Sequence, residues 1–585
     1  MKIREALTWI VLLYFSTLVV LVYRLHDKNT SDDDEILEYR NVFNISTLQT
    51  TSSKTESVKL RTNDKVTYKR YGPGENGEEV IFSPENISFP GLAERNKKHG
   101  FNTFISDMIS LHRKLPDMRP DECKTRVYPD DLPPVSIVII FRDEWWSILL
   151  RTVYSILEMS PPKLISEIIL VDDGSKDITL VTTVKIHIKN LEKVKLVQNG
   201  VSRGLMMARQ AGINAVQTDI FIVMDGHMEV GPGWLEPLLY RMVQQPKSLL
   251  CSHIGGIHKE TFEFIIDHQP PEGRTFDAQF PFFDHVTLDQ MFATYSDEYR
   301  KQRNHSVEPI PYGTIQGMMM VMRKDFFQQL GGFDPGMKVW GSEQIELSVK
   351  VWMCGGVVEM VPCSTVAHMF RVTPWSAFND TNDFHSLNKA RMTQVWLDPP
   401  YNDAINSFLS DKNYSMGDIT SRQEIREVNH CKPYQYFIDK VKSFSNVYLP
   451  IHTNYKGSII NGLYHNRCLD AARSPQGGAS VKLILYPCHR RATMNQYFIL
   501  SDTDQIRGAG GMVIDVRKGK DDISLYLRWA PVIYFSSSTI WTYDGNQLKH
   551  KDTSMCLTAL TQDKLGLSTC IDSRSQTWKW GKDNK

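Results

Sequence analysis

The pattern of hydrophobic residues predicts alternating strands and helices between about residues 116 and 440. Two apolar runs rich in β-branched residues, "PPVSIVIIF" (133–141) and "EIILVDDGS" (167–175), flank "WWSILLRTVYSILEMSP", whose apolar residues recur at helical spacing. The strands "VKLVQNG" and "DIFIVMDGH" follow, with the helical segment "GLMMARQAGINAVQ" between them. Wholly apolar strands joined by helices are typical of a parallel sheet covered on both faces. This region is therefore predicted to be an α/β domain.

Acidic and histidine side chains follow two of these strands. Asp172 and Asp173 end one, and Asp225 and His227 come directly after the run "FIVM". Ligands of open α/β sheets bind at the carboxyl ends of the strands, so these side chains are expected at one edge of the sheet. An apolar run that ends in Asp-Gly is also common where a strand simply leaves the core. From the residues alone, Asp225 and His227 fit either a turn or a cation site.

A threefold repeat marks the region 454–585. The triplets "CLD" (468–470), "VID" (513–515) and "CLT" (556–558) start 45 and 43 residues apart, and each precedes an aromatic closing unit: "NQYF", "TIWTYD" or "SQTW". Three copies of a short β-rich unit predict a threefold barrel. The signatures resemble the ricin-B type β-trefoil lectin, an all-β fold.

The three repeats of this barrel are unequal. The first retains Asp470, His489 and Asn495, the second keeps an aspartate without the cysteines, and the third has Thr558 where the lectin family has aspartate. The resemblance therefore implies that the first repeat binds sugar. A repeat with a purely structural role is the alternative.

The N-terminus carries a predicted membrane anchor. Residues 6–23, "ALTWIVLLYFSTLVVLVY", contain no charge and are just long enough to span a bilayer. No Ala-x-Ala site follows, which favours a retained signal-anchor over a cleaved signal peptide. The preceding basic residues place the tail 1–5 in the cytosol and the rest of the chain in a lumen. Residues 24–95 are polar and poor in aromatics, so we expect them to form a stem.

The composition bounds the remaining possibilities. The chain has 585 residues, which predicts two or more domains. Lys plus Arg and Asp plus Glu both total 67, and the formal net charge is zero. No basic excess of the kind that nucleic-acid binding requires is present.

Several motifs in register resemble the polypeptide N-acetylgalactosaminyltransferases: "VDDGS", "GLMMAR", "DGH", "GWLEPLL", "MKVWGSEQIELSVKVWMCGG", "CSTVAHMFR" and "GDITSR" followed by "CKP". The resemblance covers nearly the whole chain. It implies a Rossmann-like GT-A catalytic domain over 96–440, a linker over 441–453 and a lectin domain that binds GalNAc over 454–585. It also implies a single-pass type II protein of the Golgi membrane that transfers GalNAc from UDP-GalNAc to Ser or Thr of protein or glycopeptide acceptors, with retention and with Mn²⁺.

The resemblance assigns the metal ligands. The Asp-x-His motif of the family matches Asp225 and His227, and a third ligand matches His368. The leaving UDP carries two negative phosphates. A divalent ion bound by a carboxylate and two imidazoles would act as the Lewis acid that neutralises this charge. Arg371, three residues after His368, would add a cation at the diphosphate.

The resemblance also assigns substrate contacts. Asp172 or Asp173 would read the uridine, although either fits a plain turn acid. Glu343 matches the acidic residue beside the sugar and the acceptor. Trp340 would wall the sugar pocket, or serve as a core tryptophan, and Arg203 stands in for a family arginine one position away. With no partner carboxylate evident for Glu343, unlike the pair of retaining glycosidases, a front-face route assisted by the leaving phosphate is favoured.

The cysteine pairing is likewise implied by the resemblance. The pairs are Cys123–Cys363 and Cys354–Cys431 in the catalytic domain, and Cys468–Cys488 and Cys556–Cys570 in the trefoil. This leaves Cys251 as an odd thiol that we expect to be buried, because it follows two leucines.

Departures from the family pattern lie near the chemistry. "FRDEWWS" replaces Phe-His-Asn-Glu-Ala-Trp-Ser, "IQG" (315–317) replaces Ala-Gly-Gly, and "WGSEQ" replaces Trp-Gly-Gly-Glu-Asn. None removes a metal ligand. Two alternatives to the active GalNAc-transferase stay open. One is a weak or inactive relative that acts as a lectin-like binder or as a partner of other transferases. The other is a transferase for a different nucleotide sugar.

Overall fold

The computed structural model describes residues 72–81, 91–266, 280–284, 289–293, 295–303, 307–371, 384–399, 401–402, 416–447, 455–471, 480–489, 494–501, 503–508, 512–518, 523–529 and 536–581. The predicted cytoplasmic tail (1–5) and signal-anchor (6–23) lie outside these residues, as does most of the predicted stem. Within the described ranges, no helix combines the length and the apolar character that crossing a membrane requires.

Helices and strands alternate in the first domain. Its α-helices are α1 (Leu92–His99), α2 (Thr103–Met108), α3 (Asp121–Thr125), α4 (Trp146–Met159), α5 (Ile178–Ile188), α6 (Leu205–Ala215), α7 (Leu235–Gln244), α8 (Asp297–Gln302), α9 (Lys324–Gln329), α10 (Glu343–Met353), α11 (Phe384–Trp396), α12 (Thr420–Val428) and α13 (Tyr434–Phe444). Its strands are β1 (Val135–Phe141), β2 (Ile165–Asp172), β3 (Val194–Gln198), β4 (Ile220–Asp225), β5 (Met228–Val230), β6 (Ser248–Ile257), β7 (Phe264–Ile265), β8 (Phe280–Asp284), β9 (Asp289–Ala293), β10 (Ile310–Pro311), β11 (Met319–Arg323) and β12 (Val357–His368).

The central sheet is mixed. Its strand order is β10-β12-β6-β11-β4-β1-β2-β3, with β5 paired to β12 and β7 to β6. Strands β4, β1, β2 and β3 run parallel to one another, as the apolar runs predict. Strand β11 is antiparallel to β4 and β6, so the prediction of a parallel sheet is wrong for this strand. The run "MMMVMR" is as apolar as its parallel neighbours, because burial on both faces does not depend on strand direction.

Both faces of the sheet are covered, and alternate residues of each central strand enter different cores. In β1, Val138 and Ile140 pack in one core with α6, α9, α10, α11 and α13. Ile137 and Ile139 pack in the other core with α4, α5 and α7. Successive side chains of a strand point to opposite faces, which explains the alternation. The carboxyl edge of the sheet is thus held by packed layers on both sides.

The folded region begins earlier than predicted. Residues 72–81, assigned to the stem from their polar composition, pack against the catalytic domain. The amide of Val80 donates to the Thr261 carbonyl at 2.8 Å, and Arg113 Nη1 donates to the Gly74 carbonyl at 3.4 Å. The Val80 side chain also joins a core cluster with Phe101 and Ile105. One apolar residue in a polar segment forms no hydrophobic pattern, so these contacts could not be predicted.

The catalytic domain also ends later than residue 440. Helix α13 crosses the predicted boundary, and its last residue, Phe444, belongs to the same core as β1 and α10. Apolar residues recur along α13 at helical spacing, so its buried face continues past residue 440 without a break.

The second region is all-β. Its strands are β13 (Lys456–Gly457), β14 (Ile459–Asn461), β15 (Arg467–Ala471), β16 (Ser480–Pro487), β17 (Phe498–Leu500), β18 (Ile506–Arg507), β19 (Met512–Lys518), β20 (Ile523–Trp529), β21 (Trp541–Tyr543), β22 (Leu548–His550), β23 (Cys556–Ala559), β24 (Leu565–Ser568) and β25 (Trp578–Trp580). The last strand, β25, pairs with β14 near the start of the region. In each repeat a short 3-10 turn precedes the strand that carries the closing aromatic residue. The three turns are Met494–Gln496, Ser537–Thr539 and Arg574–Gln576.

The repeat predicted from the sequence builds a single core in this region. The central residues of the three triplets and the closing aromatic residues all meet there: Leu469, Ile514, Leu557, Phe498, Trp541 and Trp578. One copy of the unit could not enclose such a core alone, so the three copies depend on each other.

Four disulfides are present, and they are the pairs that the resemblance implies: Cys123–Cys363, Cys354–Cys431, Cys468–Cys488 and Cys556–Cys570. Cys251 is free and buried in β6, and burial raises the pKa of its thiol to about 12. Disulfides on this scale fit an oxidising compartment.

Candidate active site

Three predicted metal ligands converge at the carboxyl edge of the sheet. Asp225 ends β4, His227 lies in the turn before β5, and His368 ends β12. Antiparallel pairing of β5 with β12 sets His368 opposite Met228, the neighbour of His227. One ligand atom of each of the three residues lies within 4.8 Å of the others. The strand pairing therefore unites residues that are far apart in the chain.

The chemistry of these three groups fits a divalent cation. Both ring nitrogens of His368 are buried without a hydrogen bond to any described residue, and its Nε2 lies 3.5 Å from Asp225 Oδ2. Burial lowers the pKa of His368, although Asp225 opposes the shift, so the ring favours its neutral, ligating form. Burial would raise the pKa of Asp225, but His368 and Arg209 outweigh it and lower this pKa. One carboxylate and two imidazoles suit Mn²⁺ or a similar ion.

Glu144 orients one of the ligands. It is buried, and its Oε2 lies 2.9 Å from His227 Nδ1. Burial alone would raise the pKa of Glu144, but the charge of Arg371 and the hydrogen bond from His227 lower it to about 2. An ionised carboxylate only accepts, so His227 donates from Nδ1 and keeps its Nε2 lone pair available. Carboxylates hold metal-binding histidines in this way.

Arg371 lies beside the predicted metal ligands and contacts protein groups there. Its Nη2 donates to Glu144 Oε2 and lies 3.3 Å from His227 Nδ1. Its Nη1 donates to the His99 carbonyl at 2.8 Å. In these positions the guanidinium fixes Glu144, and it also contributes positive charge next to the predicted metal ligands.

Arg209 links the predicted metal site to Glu343. Its Nη1 donates to Glu343 Oε1 at 3.0 Å, and its Nη2 lies 3.4 Å from Asp225 Oδ1. The same Nη2 donates to the Gly317 carbonyl at 2.7 Å. Arg209 is only 2% exposed and Glu343 only 3%. Glu343 also accepts a bond on Oε2 from the Gly341 amide at 2.7 Å, so both of its oxygens are engaged.

Both carboxylate oxygens of Asp173 accept hydrogen bonds from the loop 199–204. One oxygen accepts from Asn199 Nδ2 and the Arg203 amide, both at 2.9 Å. The other accepts from Ser202 Oγ at 2.8 Å and the Gly204 amide at 2.9 Å. The Arg203 side chain itself is exposed. Asp173 therefore shapes the turn before α6 and has little acceptor capacity left.

Asp172 is the better placed of the two aspartates to read a ligand. Its Oδ1 accepts from the Ser175 amide at 2.8 Å, and its Oδ2 accepts from Gln198 Nε2 at 3.0 Å. Each oxygen has one bond to the protein and keeps a lone pair. The residue ends β2 at the same sheet edge as Asp225.

Trp340 lies on the loop just before Glu343, the first residue of α10. It is half-buried, and its ring meets His385 edge-on at 4.7 Å between centroids. Ser342, which replaces a family glycine, has a positive φ of 71°. The loop therefore adopts a backbone conformation that a serine accepts only reluctantly.

The first trefoil repeat contains a cluster of polar groups. Gln496 Nε2 donates to Asp470 Oδ2 at 2.7 Å, and Gln496 Oε1 accepts from the His489 amide at 3.0 Å. Asn495, half-buried, precedes Gln496 in the 3-10 turn. Tyr486 is half exposed and meets the His489 ring edge-on at 5.7 Å. An exposed aromatic ring next to His489 is suited to stacking on a sugar.

The other two repeats are built differently. In the second, Asp515 accepts from Ser538 Oγ at 2.7 Å and lies 3.6 Å from Arg517 Nε. In the third, Thr558 Oγ1 bonds to Ser568 Oγ at 2.8 Å and accepts from Gln576 at 3.1 Å. The carboxylate is thus balanced by an arginine in one repeat and replaced by a hydroxyl in the other.

Three residues of these sites were not assigned from the sequence. Glu144 and Arg209 lie inside the motifs "FRDEWWS" and "GLMMAR", where they read as an ordinary surface acid and a helix cation. Tyr486 lies in strand β16 and carries no motif of its own. A charge in the middle of an apolar helix face was the one available signal, and it applies to Arg209 alone.

Comparisons with known proteins define the class. Residues 136–331 match the glycosyl transferase family 2 model, residues 299–373 match the N-terminal domain of galactosyltransferase, and residues 455–578 match the ricin-type beta-trefoil lectin domain. The protein is a glycosyltransferase joined to a lectin domain.

Whole-chain relatives identify the family. Human polypeptide N-acetylgalactosaminyltransferase 13 is 31% identical over 521 residues, which cover 88% of this chain and 90% of that protein. Human polypeptide N-acetylgalactosaminyltransferase 3 is 34% identical over 74% of this chain and 68% of its own length. A crystal structure of GalNAc-T7 with UDP, GalNAc and Mn²⁺ is 28% identical, covers 87% of this chain and 92% of its own, and has a TM-score of 0.70. This chain belongs to the polypeptide N-acetylgalactosaminyltransferase family.

Proposed function

We propose that the protein is a Mn²⁺-dependent retaining glycosyltransferase that transfers GalNAc from UDP-GalNAc to Ser and Thr hydroxyls of proteins or glycopeptides. The observation that carries the proposal is the convergence of Asp225, His227 and His368 at the edge of the sheet, joined through Arg209 to Glu343. A relative of the same family has been crystallised with UDP, GalNAc and Mn²⁺.

The proposed ligands of the cation are Asp225, His227 and His368. A divalent cation held by these residues would supply the positive charge that the diphosphate leaving group requires. Glu144 keeps His227 in the ligating tautomer through its 2.9 Å contact with Nδ1. Arg371, fixed by Glu144, adds positive charge on the same side and favours the anionic leaving group.

Glu343 binds and orients substrate hydroxyls rather than attacking the sugar. Oε1 of Glu343 is paired with the cation of Arg209, which makes the carboxylate a weaker nucleophile, and Oε2 accepts from the Gly341 amide. Each oxygen keeps one lone pair that can accept from a substrate hydroxyl. The neighbouring carboxylate is Asp225, which is assigned to the cation. This supports a front-face route, in which the leaving phosphate receives the acceptor proton and no glycosyl-enzyme forms.

The donor is held along the edge of the sheet. Asp172, with a lone pair left on each oxygen, reads the uridine, and Asp173 shapes the loop next to it. Trp340 walls the sugar pocket from the loop that leads into Glu343. Arg203 contributes through its backbone bond to Asp173 and through an exposed charge at the entrance.

The trefoil binds GalNAc through its first repeat. Asp470 accepts hydrogen bonds from sugar hydroxyls, and the bond from Gln496 fixes the orientation of its carboxylate. His489 and Asn495 supply further polar contacts, and the exposed ring of Tyr486 stacks on the sugar face. A glycopeptide that already carries GalNAc would thus be held by the lectin domain.

The protein resides in the Golgi membrane as a single-pass type II protein. The support is the uncharged segment 6–23 with basic residues before it, together with four disulfides in the remainder of the chain. The domains are a tail (1–5), an anchor (6–23), a stem that ends before residue 72, a catalytic domain to about 447 and the trefoil from about 455.

Transfer from UDP-GalNAc tests the proposal. Full-length protein in detergent would be incubated with UDP-GalNAc, Mn²⁺ and a panel of Ser/Thr peptides and GalNAc-peptides, with product identified by mass spectrometry. We expect transfer that stops on chelation and in His227→Ala, but continues in His258→Ala, a matched change of an exposed histidine. Transfer of another sugar, or UDP binding without any transfer, would refute the proposed donor or the activity.

A further inference from the structure

The loop 338–342, which leads into Glu343, has an unfavourable backbone. Val339 and Ser342 have positive φ angles of 55° and 71°, and Gly341 has one of 98°. The left-handed region is unfavourable for residues with a Cβ, and most of all for a β-branched residue. Two such residues within four positions require contacts from the surroundings that hold the backbone in place.

Asn388 on α11 supplies such contacts. Its Nδ2 lies 2.9 Å from the Lys338 carbonyl, 3.2 Å from the Trp340 carbonyl and 2.9 Å from the Gly341 carbonyl. Its Oδ1 accepts from the Lys338 amide at 2.8 Å. The side chain is completely buried. One amide group therefore binds both ends of the loop, and no other side chain among the described contacts binds so many of its backbone groups.

The opposite side of the loop is held by the start of α6. The Leu205 amide donates to the Val339 carbonyl at 2.8 Å. A Cβ on Gly204 would lie 2.9 Å from the Val339 Cα, so glycine allows this close approach. The loop is thus clamped between α6 and α11, and its Gly341 amide donates to Glu343 Oε2 at 2.7 Å.

We propose that Asn388 is a positioning residue for transfer: it holds loop 338–342 in its left-handed conformation and thereby sets Trp340 and Glu343 for the acceptor and sugar. The inference rests on the proposed function. Ser342 makes the clamp more important in this chain, because the serine opposes the conformation that the hydrogen bonds of Asn388 enforce. Asn388 is completely buried and acts through its contacts with the backbone of the loop.

The test compares Asn388→Ala with Asn388→Ala/Ser342→Gly in full-length protein. A glycine at position 342 accepts the positive φ without strain and should restore part of what the clamp provided. We expect Asn388→Ala to lower kcat about 100-fold, the scale of a misplaced catalytic group. Mn²⁺-dependent UDP binding should change by less than about 3-fold, and the double variant should recover kcat about 3-fold or more.

The matched control is Asn461→Ala, another completely buried asparagine with four backbone contacts, in the trefoil. It should reduce thermal stability and leave kcat for unglycosylated peptide unchanged. Asn388→Ser, which keeps one donor, is the milder variant should Asn388→Ala fail to fold, and its kcat should fall between wild type and the expected value for alanine.

Hydrogen exchange of peptides that span 338–342 gives a readout independent of activity. We expect faster exchange in Asn388→Ala, partly reversed by Ser342→Gly. Unchanged exchange, or a fall in kcat no larger than that of Asn461→Ala, would overturn the inference. If wild-type protein transfers no GalNAc, the proposed function fails, yet the exchange measurement still decides whether Asn388 clamps the loop.

Discussion

Arg209 and Glu343 form a buried ion pair, with Arg209 Nη1 3.0 Å from Glu343 Oε1. The same guanidinium lies 3.4 Å from Asp225 Oδ1. One cation therefore spans a proposed metal ligand and the proposed substrate-binding carboxylate, and neither can shift without disturbing the other. A change at Arg209 should affect the geometry of both.

Replacement of Arg209 by lysine should separate these two carboxylates. Lysine keeps the charge but cannot reach both groups with a planar fork. We expect Arg209→Lys to lower kcat by about 100-fold, because the reacting groups are no longer aligned. Arg209→Met should in addition destabilise the fold by about 3–5 kcal/mol, since it leaves Glu343 buried without its partner. Steady-state kinetics and chemical denaturation measure the two effects, and equal kcat in wild type and Arg209→Lys would argue against the shared role.

Glu144→Gln tests the orientation of His227. Glutamine has nearly the same shape but carries no charge, so it holds the His227 tautomer and Arg371 less firmly. Loss of such an outer carboxylate typically weakens metal affinity 10- to 100-fold, and we expect about that reduction for Mn²⁺. Titration of activity and of UDP binding with Mn²⁺ measures it. Saturating Mn²⁺ should restore most of the activity, whereas unchanged Mn²⁺ dependence would contradict the assignment.

Residues with a periodic or local signal could be predicted from the sequence. The strands ending at Asp172 and Asp225 follow from apolar runs, and the trefoil core follows from the spacing of its triplets. The motifs also predicted Asp225, His227 and His368 as one cluster, which the pairing of β5 with β12 provides. The strands, the trefoil core and the ligand cluster could be predicted because each leaves a pattern in residues that are close together in the sequence.

Other features depend on contacts that leave no local pattern. The antiparallel direction of β11 is invisible in an apolar run. The packing of residues 72–81 combines hydrogen bonds to the backbone with burial of the Val80 side chain, and one apolar residue in a polar segment gives no periodic signal. The role of Arg209 appears only when α6, β4 and α10 are brought together, because its partners are distant in the chain. The different hydrogen bonding of Asp172 and Asp173 likewise depends on the loop at 199–204, whose groups donate to the Asp173 carboxylate and not to the Asp172 carboxylate among the contacts described.

The trefoil should bind sugar through its first repeat alone. Asp470→Ala and Tyr486→Ala remove the carboxylate and the exposed ring, and each should reduce binding of GalNAc at least about 10-fold, since each loss of roughly 1.4 kcal/mol is tenfold in affinity. Asp515→Ala in the second repeat is the matched control and should have little effect, because Arg517 and Ser538 already engage that carboxylate. Binding to immobilised GalNAc measures the series. Equal losses in Asp470→Ala and Asp515→Ala would show that the first repeat has no special role.

His99 should make the catalytic domain sensitive to acid. Burial lowers the pKa of His99 from 6.5 to about 4, although Glu144 opposes the shift. The unfolded state therefore binds a proton between these pH values that the folded state does not, so stability is fully present above pH 6.5 and falls as the pH drops toward 4. In His99→Gln this part of the loss should disappear, while the bond from the Arg371 guanidinium to the backbone carbonyl of residue 99 remains possible. The measurement is the denaturation free energy of wild type and variant from pH 7.5 to 4. The difference between the two curves should be constant above pH 6.5 and change steadily below it, and parallel curves throughout would disprove the assignment. His258→Gln, at an exposed position, should follow the wild-type curve.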